Sequence, residues 1–503
     1  MQSMRVRVIL LVVACSLAGA GLLTVSANGN TVALSTPSPA ALADPPNPAA
    51  DTPTDVSAVT PTTPVAPTIS PTPSQPSLAM RIDALLADPA LAGIAISLSV
   101  RDQDGVPMVE RGGAQPLIPA STSKLITAAA ALGRLGPSYR YRTQAVTSTG
   151  PSSDGVLQGD VVLIGSGDPT LSTQTFREKI APLRPSTPIE ALADAVVARG
   201  VRHITGDVVA DATVFADQPA ASGWRERYFT ELDATYTSGL TIDGGQKLFV
   251  EGGKLHATVS PDPASEAAAA LFIALGQRGV QVDGGVRRLA QPTSSGLVLA
   301  QVESPALTDL LQWMVQRSDN HMADAIFRTL GAVDADPTWA GSAKAVQSAA
   351  APLGLDWTGV RLADGSGLSR DNRVSADFLT RLDLAISHSG TAPLWAGWQA
   401  VAGRSGTLRK RLIGTLAEGA FRGKTGSLED VRALSGAVLG PAGRRAHFAL
   451  MANSVPRAAR PAVRVLQDEL VLALAEELHG CVRLPRDGHT TASEPPYRLS
   501  CAA

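Results

Sequence analysis

Apolar residues run almost without a break from Val8 to Val25, just after Arg5 and Arg7, and give way to the small pair Ser26-Ala27. A charged start, an apolar stretch and a small-residue exit predict a secretory signal over residues 1–28. The run is also long enough to cross a bilayer, so an uncleaved membrane anchor through residues 8–25 is the alternative. Cys15, behind Val12-Val13-Ala14, loosely suggests a lipidation site but lies in mid-run and close to the arginines. Apolar periodicity then disappears. Between residues 29 and 77 the chain is rich in Pro, Thr, Ser and Ala, and twelve of its 36 prolines fall between Pro37 and Pro76. Such a segment cannot bury enough surface to offset its ordering entropy, and it is expected to be an extended tether.

Patterning resumes near Leu78. Residues Ala92–Val100 alternate like a half-buried strand, and a second short strand is expected around Val109. Ser121–Leu135 is rich in Ala, Leu and Ile on nearly every face and closes at Gly136-Pro137, as a helix inside a core reads. From 139 to 290 the texture is short strands and Gly/Asp turns, with the string Gly-Asp-Val-Val at both 159–162 and 206–209. Leu307–Leu330 reads as two helices meeting at Ser318-Asp319-Asn320. A strand at Lys424, a hairpin of Arg432–Val438 and Ala446–Ala452, and a helix from Pro461 to the stop at Gly480 complete the pattern. Strands at both ends with a core helix between them predict one α/β domain, discontinuous over 78–138 and 291–480 and interrupted by a β-rich insertion over 139–290. A tail over 481–503 follows. Its two cysteines, Cys481 and Cys501, are the only ones outside the signal, and in an exported chain they are expected to form a disulfide, unpaired thiols being the alternative.

Composition narrows the chemistry. Forty-three basic and 45 acidic side chains nearly balance, and aromatic residues make up 4%. That combination argues against nucleic acid as a partner. Three cysteines and seven histidines without an HExxH pair leave no common metal-site pattern, and no cofactor is expected.

Three short motifs remain. In Ser121-Thr122-Ser123-Lys124 the first and last residues share a helix face, so an amine can take the proton of a serine hydroxyl at the positive end of a helix. Ser318-Asp319-Asn320 puts a hydroxyl and an amide in a turn between helices, where they can relay a proton and hold a lysine or a carbonyl; alone it reads as a helix cap. Lys424-Thr425-Gly426, followed by Ser427, offers a cation, a hydroxyl, a close backbone approach and a backbone N–H for an oxyanion; alone it reads as a strand start.

Taken in this order the three resemble the penicillin-recognising serine enzymes. Ser121 and Ser318 are 197 residues apart, too far for a compact β-lactamase. Pro119-Ala120-Ser121-Thr122, Gly167-Asp168-Pro169-Thr170-Leu171 and Asp364-Gly365-Ser366-Gly367-Leu368-Ser369-Arg370 are similar to the class C low-molecular-mass penicillin-binding proteins, peptidase family S13. The resemblance, over about Leu78 to Gly480, implies a serine β-lactamase/transpeptidase-like fold with an antiparallel sheet and a helical subdomain. It implies a D-Ala-D-Ala carboxypeptidase or endopeptidase that works outside the cytoplasm on peptidoglycan stem peptides and is acylated by β-lactams. By the same resemblance Ser121 is the nucleophile, Lys124 its base, and Ser318 and Asn320 complete the proton network. Lys424 and Thr425 meet the terminal carboxylate, Gly426 and Ser427 line the substrate, and Arg370 recognises a side-chain carboxylate. The stretch Arg225-Glu226-Arg227-Tyr228 departs from the family where an acidic partner for a substrate amine is expected, and Glu226 is the nearest candidate. Asp324 stands where the family has Glu.

Two other functions fit less well. A class A β-lactamase needs a glutamate between the second and third motifs, and the only one is Glu418, six residues before Lys424. A catalytically idle penicillin-sensing module would not need every reactive side chain retained.

Overall fold

The computed structural model describes residues 76–293, 296–485 and 497–501. The expected signal, its anchor alternative and nearly all of the tether lie outside them. Among the described residues no helix is long and apolar enough to cross a membrane.

The first described helix, Leu78–Leu86, starts where patterning resumes and is capped by the Ser77 hydroxyl. Six strands then form one antiparallel sheet in the order 400–401, 421–428, 431–439, 445–453, 95–102, 107–111. Ends of the chain meet here, since Leu98 sits opposite Leu450, which sits opposite Leu434. The sheet is buried on both sides, and alternate residues divide between two cores. Leu98, Leu434, Phe448 and Leu450 pack with Ile82 and with Val463, Leu466 and Leu470 of the last helix, Arg460–His479. Ala433, Ala449 and Met451 face the other way, toward the helices Ser123–Leu135, Leu307–Arg317, Asn320–Val333 and Ala376–Ser387. The Ser123–Leu135 helix is buried at every position from Ser123 to Leu132, as its all-round apolar sequence predicts. This sheet with helices on both faces is the mixed α/β arrangement the sequence implies.

Between these halves the chain builds a second, five-stranded sheet in the order 286–288, 208–211, 161–164, 142–147, 297–303. The two Gly-Asp-Val-Val strings are neighbours in it, parallel and in register, with Val161 opposite Val208 and Val162 opposite Val209. Asp160 accepts the Asp207 N–H and Asp207 accepts the Gly285 N–H, so each aspartate fixes the start of the next strand. Crossover helices Ile189–Ala198 and Pro263–Gly276, which the strand-and-turn reading did not separate out, cover its apolar side. Leu297–Glu303, beyond the boundary expected at residue 290, belongs to this sheet because it pairs antiparallel with Arg142–Thr147. The excursion thus leaves and returns through adjacent strands.

Cys481 and Cys501 are joined in a disulfide. Strands Cys481–Pro485 and Tyr497–Cys501 pair antiparallel, and Arg483 binds Glu469 and Glu476 of the last helix. A loop closed over a sequence separation of 20 contributes about 3 kcal/mol in the chain-entropy view. Replacing both cysteines by serine is expected to lower the unfolding free energy by about 2–3 kcal/mol in urea titration, without abolishing the fold of the central sheet.

Candidate active site

The Ser123–Leu135 helix is entered through a tight turn, Ala120–Thr122, that carries Ser121. Ala120 has φ +47°, a left-handed conformation that is costly for a residue with a Cβ and persists only where packing enforces it. The packing comes from two sides. A Cβ on Gly367 would lie 1.9 Å from the Ala120 carbonyl oxygen, and one on Gly426 would lie 2.8 Å from the Pro119 carbonyl oxygen. The close approach that Gly426 permits is thus to the Pro119–Ala120 turn itself.

Lys124, one turn further along, has no solvent exposure. Its Nζ lies 3.0 Å from Ser121 Oγ, 2.7 Å from Asn320 Oδ1 and 2.6 Å from the Ser366 carbonyl oxygen. Burial lowers its pKa to about 8, against the pull of Asp324, Asp364 and Asp319. Asn320 opens the helix Asn320–Val333, and its Nδ2 donates to the Asp233 carbonyl at 2.8 Å, which aims Oδ1 at the lysine.

Ser318 is the left-handed residue, φ +60° and ψ +38°, between the two helices predicted there. Its hydroxyl lies 2.9 Å from Lys424 Nζ, which also donates to the Thr425 carbonyl at 2.8 Å. Lys424, on the strand Phe421–Leu428, is likewise without exposure. Burial, and then the charge of Lys124, push its pKa well below the ordinary lysine value. Asp319 caps the following helix by accepting the Met322 N–H and also accepts from Arg184 and Trp313. Burial alone would raise its pKa, but the Arg184 guanidinium overrides it and keeps the carboxyl charged.

The loop after Leu362 sets the remaining wall. Asp364 is buried and accepts from Trp224 Nε1 (2.7 Å), Asn372 Nδ2 (2.7 Å) and the backbone N–H groups of Gly367 and Ser369. Asp324 accepts the N–H groups of Gly365 and Ser366 and so turns the Ser366 carbonyl onto Lys124. Its carboxyl is pushed up by burial and by Asp364. The short acid where the family has Glu therefore fastens this loop.

These groups border a cleft of 610 Å³ lined by Ser121, Ser318, Asn320, Thr407, Thr425, Ser427 and Leu428 among others. Thr425 Oγ1 donates to Thr407 Oγ1 at 2.8 Å. The structure thus brings together Ser121, Lys124, Ser318, Asn320, Lys424, Thr425, Gly426 and Ser427. Arg370 is elsewhere engaged: its Nη2 donates to Asp430 Oδ2 at 2.8 Å, and it does not line the cleft. Nor does Glu226, whereas Glu231 and Asp233 do. Glu418 accepts the Gly414 N–H at 2.7 Å and is also absent from the cleft wall. Sequence reasoning missed Thr407, Asp233 and the anchoring roles of Asp324 and Ser366. Two of these act through backbone carbonyls, which leave no trace in residue type.

With this geometry established, comparison with known proteins is decisive. A model of the D-Ala-D-Ala carboxypeptidase 3 (S13) family matches residues 78–251 and 247–471. The chain belongs to this family. It is 33% identical over 471 aligned residues to a D-alanyl-D-alanine carboxypeptidase of Actinomadura sp. (strain R39), covering 78% of this chain and 84% of that one. It is also 33% identical over 410 residues to a carboxypeptidase of Mycolicibacterium smegmatis, covering 79% and 84%. Penicillin-binding protein 4 of Haemophilus influenzae shares the fold, with a TM-score of 0.67 at 22% identity over 78% of this chain and 99% of that one. This S13 member has the mixed α/β architecture of the penicillin-binding enzymes.

Gly367→Ala tests the packing of the nucleophile turn. The added Cβ displaces the Ala120 carbonyl, so acylation by benzylpenicillin is expected to slow by at least about 100-fold while the melting temperature falls by several degrees. Stopped-flow acylation and calorimetry measure the two effects.

Proposed function

We propose that this S13 enzyme cleaves the D-Ala-D-Ala bond of peptidoglycan stem peptides through an acyl-enzyme on Ser121. The observation that carries the reading is the unbroken run of short contacts from Ser121 Oγ through Lys124 Nζ to Asn320, with Ser318 and Lys424 facing it across the cleft.

A serine hydroxyl needs a base that is neutral at working pH. Lys124 qualifies because burial has lowered its pKa to about 8, which leaves about a tenth of the amine neutral at pH 7 and about half at pH 8. Ser121 Oγ bonds to the carbonyl carbon of the penultimate D-alanine as its proton passes to Lys124. The carbonyl oxygen takes the electron pair and is met by the backbone N–H groups of Ser121 and Ser427, at the positive end of the Ser123–Leu135 helix. When the C–N bond breaks, the Ser318 hydroxyl gives its proton to the leaving nitrogen and regains one from the lysine pair. Water then attacks the ester, its proton passes through the same groups, and Ser121 leaves as the alcohol. A β-lactam enters by the first step and stays as the ester.

Thr425 and Thr407, with their hydroxyls toward the cleft, suit the carboxylate of the leaving residue. Lys424 is buried beneath them and serves Ser318 rather than contacting the carboxylate directly. Arg370 we read as holding the 428–431 turn through Asp430, in place of the receptor role the resemblance implies. The leaving residue of a D,D-cross-link also carries a carboxylate beside the scissile nitrogen, so endopeptidase cleavage uses the same chemistry. Export to the cell wall, directed by residues 1–28 or by an anchor over 8–25, fits such a substrate.

Ser121→Ala is expected to yield neither D-alanine from a D-Ala-D-Ala peptide nor a penicillin adduct by intact mass. An adduct on that variant would remove Ser121 from its role. Lys424→Ala is expected to slow acylation by at least about 100-fold, the range of a lost proton-transfer partner, and an unchanged rate would exclude Lys424 from the network.

A further inference from the structure

A second cavity, of 360 Å³, shares Asp233, Ser318 and Asn320 with the catalytic cleft, but Ser121 does not border it. It therefore opens off the wall where Ser318 meets the leaving nitrogen. Phe176 and Ile180 from the inserted region, Leu232 and Trp313 give it apolar sides. Two guanidinium groups line it as well. Arg184 is occupied by Asp319 and by the Pro169 carbonyl. Arg317 is exposed and lies over the Trp313 ring, 5.2 Å from its centroid; among the described residues it has no ion pair with a carboxylate. His321 Nε2 is buried there without a hydrogen-bond partner among the described residues. Burial and the charge of Arg184 lower the His321 pKa to about 4, so this imidazole is neutral when the enzyme works.

A leaving D-alanine has only a methyl side chain and would leave such a space empty. We propose that this cavity receives the side chain of the leaving D-amino acid and selects an extended aliphatic chain ending in a carboxylate, with Trp313 flanking the chain and Arg317 meeting its end. The inference rests on the reading of Ser121 and Ser318 given above. In a cross-link to a stem that ends at its diamino acid, the leaving nitrogen belongs to a residue with such a chain and a free carboxylate at its far end, so the cavity suits that arm of a cross-linked substrate. The apolar walls supply binding through burial of methylenes. Arg317 at the aromatic face, without an ion pair among the described residues, supplies preference for charge at the end.

The test is release of X from a common acyl-D-Ala-X peptide, where X is D-alanine, D-norleucine or D-2-aminopimelate. In the wild type kcat/KM is expected to rise at least fivefold from D-alanine to D-norleucine, and at least threefold more to D-2-aminopimelate. Arg317→Gln, at an exposed position, should remove the last step alone, and Trp313→Ala should collapse the whole series. If D-alanine is released and penicillin acylates Ser121, yet the longer leaving groups gain nothing, the subsite is refuted while the catalytic reading stands. A carboxylate preference that survives in Arg317→Gln also refutes it. If neither acylation nor release of any X occurs, the catalytic reading itself has failed. Should Trp313→Ala not fold, the wild-type series and Arg317→Gln decide the matter.

Discussion

Two lysine amines, Lys124 and Lys424, are held entirely out of water behind one cleft, near enough for the charge of Lys124 to act on Lys424. Moving a charged ammonium from water into such a site is costly unless it is paired or loses its proton. Among the described residues no carboxylate contacts either Nζ; the partners are hydroxyls, an amide oxygen and backbone carbonyls. Asp324 and Asp364 stand behind Lys124 and favour its charge, but burial outweighs them. The result is a pair of amines poised to exchange protons rather than to hold them. Gly367 and Gly426 let the loop after Leu362 and the Lys424 strand pack against the Pro119–Ala120 turn, and Asp324 and Asp364 hold that loop.

The chemical residues were legible in the sequence because each motif is local. Ser121 and Lys124 lie one helical turn apart, Ser318 and Asn320 flank a helix start, and Lys424 to Ser427 share one strand. The all-apolar helix was legible from its continuous apolar run, and the first sheet strand from its alternation, although that alternation suggested a half-buried strand and Ser97 and Ser99 prove buried as well. What joined the motifs was not legible. The Ser366 and Asp233 carbonyls that orient Lys124 and Asn320 could belong to any residue type. Arg370 looked available until the fold placed Asp430 against it. Likewise the excursion was expected to end at 290, because nothing in Leu297–Glu303 reveals that its partner lies at Arg142–Thr147.

The inserted region is more than a spacer between halves of the main sheet. It supplies the Asp233 carbonyl that accepts from Asn320 Nδ2, and Phe176 and Leu232 to the cavity beside Ser318. Arg184, from the same region, holds Asp319 charged and fixed at the start of the Asn320 helix. The inserted region thus lines one side of the cleft and its neighbouring cavity, while the Ala120–Thr122 turn carries Ser121 and the first sheet carries Lys424 to Ser427 on one strand.

The central claim is that Lys124 acts as the neutral base for Ser121, and the pH dependence of benzylpenicillin acylation measures it most directly. With a pKa of about 8 in the free enzyme, the second-order rate should climb about tenfold per pH unit below that value and level off above it, because only the deprotonated amine accepts the serine proton. A rate that stays flat from about pH 6 to 9, with the protein folded throughout, would contradict the account.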